Sequence, residues 1–157
     1  MKKREKICFW LFIMSEKPYR FLFKRNTKSW PITLQELMKF PANSFGFAYQ
    51  KFLRSNGFEL LAKLENHDGF HVLLNHPTAV KNEIGLQFLL FGNGKRSIYC
   101  YLTMILGFCM VPEYLNHFKK MYQKGKAMFR IHDINFLNHL QDDLKEMRIK
   151  YHIQLIN

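Results

Sequence analysis

A chain of 157 residues has room for one domain with a substantial apolar core, and too few residues for a second large domain beside it. At 48% hydrophobic and 16% aromatic, with sixteen Phe, the composition excludes disorder. The formal charge of +12 favours anionic partners but does not choose among nucleic acid, anionic lipid and phosphorylated or carboxylated ligands.

In chain order, the basic start Lys2-Lys3-Arg4-Glu5-Lys6 leads into the apolar run Ile7 to Met14. No small-residue cleavage site follows, and the run is far short of the roughly 20 apolar residues of a spanning helix, so an amphipathic helix on the domain or on a membrane surface is expected. Residues 1–30 hold nine Lys/Arg and two Glu among Phe9, Trp10, Phe12, Tyr19, Phe21 and Phe23. That mixture suits an anionic lipid surface; nucleic acid ranks lower, because no nucleic-acid motif accompanies it. Cys8, Cys100 and Cys109 sit in apolar runs without C-x-x-C spacing and read as reduced core thiols of a cytoplasmic protein, peripheral on the inner face of the membrane where it meets lipid.

Helix punctuation dominates from there on, and the fold reads as all-α, a single compact multi-helix domain over residues 1–157. Thr33 caps a helix through Met38, and Asn43 or Ser44 starts one through Arg54 with Phe45, Tyr49 and Phe52 on one face and Asn56-Gly57 as its stop. Asn66 is expected to cap a helix from His67 to about Leu74, and Thr78 the next, through Phe91, the two forming a hairpin around Pro77. The loop Gly92-Asn93-Gly94-Lys95-Arg96 precedes the uncharged segment Ser97 to Met110, expected to be buried or to line an apolar cavity. Pro112 and Glu113 open a basic helix carrying Lys119, Lys120, Lys124 and Lys126, and a last helix is expected over Asn135 to Met147.

His67 and His71 are four residues apart, which on a helix places both imidazoles on one face. Asp68 borders that face, and the hairpin can return Glu83 opposite it. Two nitrogens and two carboxylates suit a divalent ion, Zn or Fe, Mn or Co. Between Leu60 and Pro112 the only carboxylates are Glu65, Asp68 and Glu83. Coordination offsets the desolvation of Asp68 and Glu83, whereas Glu65 is expected to face water. The competing reading makes His67 the cap of the helix N-terminus, His71 a half-buried polar side chain and Glu83 a partner of Lys81 or Arg96.

His67-Asp68-x-x-His71, eleven residues and Glu83 together are similar to the signature of the ubiquinone (coenzyme Q) biosynthesis family, the fourth Coq protein and its bacterial homologues. The likeness continues in Phe40-Pro41-Ala42-Asn43-Ser44-Phe45-Gly46-Phe47-Ala48-Tyr49 and, more thinly, in Gly125-Lys126-Ala127 and Leu144-x-x-Met147-Arg148, so it covers about residues 33–150. The resemblance implies an all-helical fold, a divalent metal on His67, Asp68, His71 and Glu83, and an apolar cavity for a polyprenylated aromatic ring. It also implies removal of the ring carboxylate in an oxidative step that leaves a hydroxyl, and help in assembling other quinone biosynthesis proteins. On this reading Lys95 and Arg96 hold the anionic head of the ligand, while Tyr99, Tyr101, Met104 and Phe108 line the path of an isoprenoid tail. The alternative is a non-catalytic isoprenoid-binding scaffold with a structural metal; either form admits a homo-oligomer.

Overall fold

The structure is a computed structural model and describes Ile7 and Trp10, residues 29–60 and residues 64–155. The expectations for the N-terminal segment, Cys8 included, lie outside the described residues except at Ile7 and Trp10, both helical and exposed. Among the described residues there are seven α-helices, two short 3₁₀ turns and no strand: α1 (Leu34–Leu37), α2 (Phe45–Asn56), α3 (Glu65–Leu74), α4 (Val80–Gly92), α5 (Ile98–Met110), α6 (Leu115–Ala127) and α7 (Leu144–Lys150). The all-α class is therefore as expected. The chain divides into two compact units, one holding residues 26–76 and 134–157, the other holding residues 77–133.

In the first of these units, local capping chemistry sets the helices. Thr33 and Glu36 form a reciprocal capping box on α1, Ser44 accepts the Phe47 N–H at the start of α2, and Gly57 ends α2 in the left-handed region at φ 66°. Phe45, Tyr49 and Leu53 of α2 are fully buried, and Phe45 stacks on Phe136 at 4.8 Å between centroids. Gly69 of α3 makes room for the same Phe136 ring, since a Cβ there would stand 2.4 Å from it. The helix expected over Asn135 to Met147 is instead two pieces. Asn135 caps only the 3₁₀ turn Phe136–His139, and Asp143, held by Asn43, opens α7 afresh. The backbone of Ser44 and Asp143 forms an isolated bridge at this point, which a continuous helix would forbid.

The second unit is built on α4. Helix α6 crosses it so closely that a Cβ on Gly125 would meet the Leu89 carbonyl oxygen at 1.9 Å and one on Gly92 the Tyr122 carbonyl oxygen at 2.2 Å. Asn93 then locks the crossing. Its amide donates to the Gly125 and Phe129 carbonyls, and its oxygen accepts the Ile131 and His132 N–H groups. Helix α5 is capped by Ser97, but burial of the whole segment is not found: only Cys100, Thr103 and Gly107 are buried, while Leu106 and Met110 pack half-buried against Ile84 and Phe118. Cys100 is a buried thiol bonded to the Gln87 carbonyl, pushed up in pKa by its burial; Cys109, expected in the core, is exposed.

Candidate metal centre

Helix α3 carries the two histidines and is pinned at both ends. It starts at Glu65, two residues earlier than a cap at Asn66 would place it, with no side-chain cap. Asn66 is used elsewhere, its oxygen accepting the Phe136 N–H. Glu65, expected to face water, is buried and accepts the Trp30 N–H at 3.0 Å, and with Asp68 it places negative charge in the first turn, where the helix dipole favours it. At the other end Asn75 turns left-handed at φ 50°, and Arg148 of α7 donates to the Val72 and Leu73 carbonyls. Burial of that guanidinium lowers its pKa.

His71 is buried, with Phe52 of α2 stacked on its ring at 5.7 Å. Its Nδ1 lies 2.9 Å from the His76 carbonyl oxygen. A carbonyl only accepts, so Nδ1 carries the proton, and in the neutral ring the Nε2 lone pair faces away from it toward His67. The two Nε2 atoms stand 3.4 Å apart. Two nitrogens bound tetrahedrally at Zn–N distances near 2.0–2.1 Å would be about 3.3–3.4 Å apart, so the imidazole pair already has the spacing of two ligands on one ion. His67 and His71 thus offer two nitrogen donors of a group that can hold a metal ion. Glu83 sits in the first turn of α4, which begins at Val80 with Ala79, not Thr78, at its N-cap. Asp68 is half-buried on α3. Imidazole and carboxylate donors suit Zn, Fe, Mn and Co.

Tyr49 went unrecognised in the sequence as a polar residue of this region, because its spacing with Phe45 and Phe52 marks it as one more apolar position. It is fully buried against Trp30 and Phe45, and its hydroxyl has no hydrogen-bond partner among the described residues. Burial first, then the charges of Asp68 and Glu65, push its pKa far above the ordinary tyrosine value, so it remains a neutral O–H donor.

The residues expected to hold a ligand all belong to the 77–133 unit. Arg96 lies over the Phe91 ring at 4.2 Å and donates to the Phe91 and Lys95 carbonyls, closing the end of α4. Lys95 and Tyr99 are half-buried, as is Met104, whose sulfur receives the Cys100 thiol at 3.9 Å. Tyr101, edge-on to Phe91 at 5.7 Å, and Phe108 are exposed.

No protein-family model matches the sequence, and no curated protein does. Among solved structures, the chain is similar to a Nostoc punctiforme protein provisionally assigned to ubiquinone biosynthesis, with a TM-score of 0.62 over 95% of this chain and 81% of that one. The two are 16% identical, a level at which the likeness shows a shared fold.

Proposed function

We propose that this chain carries out a metal-dependent step of quinone biosynthesis, the removal of the ring carboxylate from a polyprenylated aromatic acid. The observation that carries the reading is the pair of His67 and His71 nitrogens 3.4 Å apart on α3, with Glu83 as the carboxylate ligand that the motif likeness implies. The pathway to which the Nostoc neighbour is assigned supports it, as does the motif likeness around His67-Asp68-x-x-His71. A divalent ion held by these residues would supply Lewis acidity toward the carboxylate or an adjacent phenolic oxygen. The His76 carbonyl keeps His71 in the tautomer that ligates, so no reorganisation is needed before binding. Asp68, three residues before His71, is the further donor that the motif likeness implies.

Elemental analysis and native mass spectrometry of chelator-free protein are expected to give one metal ion per chain. His71→Ala is expected to lose that ion and the release of carbon dioxide from a carboxyl-labelled prenylated aromatic acid, while far-ultraviolet circular dichroism stays helical. Full metal retention by the variant would remove the site, and metal without carbon dioxide release in the wild type would leave the site and remove the reaction.

A further inference from the structure

Helix α5 runs thirteen residues without a charge, yet it buries only Cys100, Thr103 and Gly107. A Cβ on Gly107 would stand 2.4 Å from Ile84, so α5 sits against α4 through its narrowest face. The opposite side presents Ile98, Tyr101, Leu102, Ile105 and Phe108, spaced three and four apart as one stripe and each between 43% and 61% exposed. Single exposed apolar residues are ordinary on a protein surface, but a continuous uncharged stripe of large ones marks a binding surface. No single helix among the described residues is long and apolar enough to cross a membrane. A helix of this length with one apolar side is suited to lie flat in an interface.

Charge selects the occupant. Residues 77–133 hold eight Lys/Arg and three Asp/Glu, a net +5, with exposed Arg96 immediately ahead of α5 and exposed Lys119 and Lys120 on α6 of the same unit. A second copy docked on this face would bring two such units together, like charge against like, whereas anionic headgroups neutralise them. Tyr101 adds an amphipathic ring of the kind that sits at headgroup level.

We infer that α5 is a membrane-docking helix, lying in the surface of an anionic bilayer with Ile98, Leu102, Ile105 and Phe108 in the acyl boundary and Tyr101 among the headgroups. The inference stands apart from the metal reading. It also gives this stripe a different task from lining an internal path for an isoprenoid tail.

The test is co-sedimentation of the full chain, with and without added Zn²⁺, with vesicles of phosphatidylcholine alone and of phosphatidylcholine mixed with phosphatidylglycerol. The wild type is expected to bind the mixed vesicles in both metal states. Leu102→Glu/Ile105→Glu should bind them about tenfold more weakly or worse, because two charges replace buried apolar contacts. Both positions are 60% exposed, so folding should be retained; circular dichroism checks this, and Leu102→Ser/Ile105→Ser serves if the charged pair misfolds. Three results overturn the inference: no binding by the wild type, equal binding by a folded variant, or a wild-type dimer that the substitutions dissociate. The first two leave the metal site standing, and loss of metal in His71→Ala with vesicle binding intact separates the two readings from the other side.

Discussion

Residues 29–76 with 134–157 carry seven Lys/Arg and seven Asp/Glu, a net charge of zero, whereas residues 77–133 carry a net +5. The neutral unit takes polar groups inside: Glu65, His71 and the Tyr49 hydroxyl are all buried among aromatic rings. The basic unit buries Asn82, Gln87 and Thr103 as well, but it differs in leaving a stripe of Ile, Leu, Tyr and Phe outside on α5. Buried polar groups are costly unless satisfied, and exposed apolar ones are unstable in water unless covered. Glu65 and His71 are satisfied by the Trp30 N–H and the His76 carbonyl, so what a bound partner would relieve is the Tyr49 hydroxyl in the first unit and the α5 stripe in the second.

The comparison breaks most sharply at the α4–α6 crossing. Gly125→Ala places a methyl 1.9 Å from the Leu89 carbonyl oxygen and 3.1 Å from the Asn93 nitrogen, backbone atoms that cannot rotate aside. The helices must part, and the expected loss is about 3 kcal/mol or more by denaturant titration. If the two units unfold independently, the loss will appear in one of two transitions. Asn93→Ala is expected to cost less, about 2 kcal/mol, because it strips partners from two N–H groups and two carbonyls that water reaches in part. A loss below half that value would show that the loop after α4 is held by the helix crossing alone.

What was legible in the sequence follows the range of the interaction. Thr33, Ser44 and Gly57 act on backbone groups a few residues away, and each begins or ends a helix where its local pattern places it. Asn66 and Thr78 carry the same local signal, yet neither caps. Asn66 is taken by Phe136, seventy residues on, and α4 begins at Val80 without any side-chain cap. Glu65 was misread for the same reason, since its partner is the Trp30 N–H across 35 residues. The four-residue spacing of His67 and His71 was readable because a helix alone brings them together. The absence of charge in α5 was equally plain. Its outward direction was not, because composition fixes how apolar a helix is and packing fixes which side is covered.

The smallest effect is the most discriminating for the neutral unit. In Tyr49→Phe the ring packing against Trp30 and Phe45 is kept and only a buried hydroxyl without a partner among the described residues is lost. Removing such a group relieves its desolvation, so near pH 7 metal-free protein is expected to be unchanged or more stable by up to about 1 kcal/mol. The pH dependence gives the sign independently. The folded phenol has a raised pKa, so above the ordinary tyrosine value of 10.0 the unfolded chain releases a proton that the folded chain keeps. Stability is therefore fully present below that pH and falls as pH rises through the alkaline range, by about 1.4 kcal/mol per pH unit for one such group. The Phe variant lacks this group's contribution, and its alkaline stability curve should be flatter by that slope. Identical slopes in urea titrations of the two proteins above pH 10 would mean that the hydroxyl reaches solvent, and the buried polar character assigned to this unit would then rest on Glu65 and His71 alone.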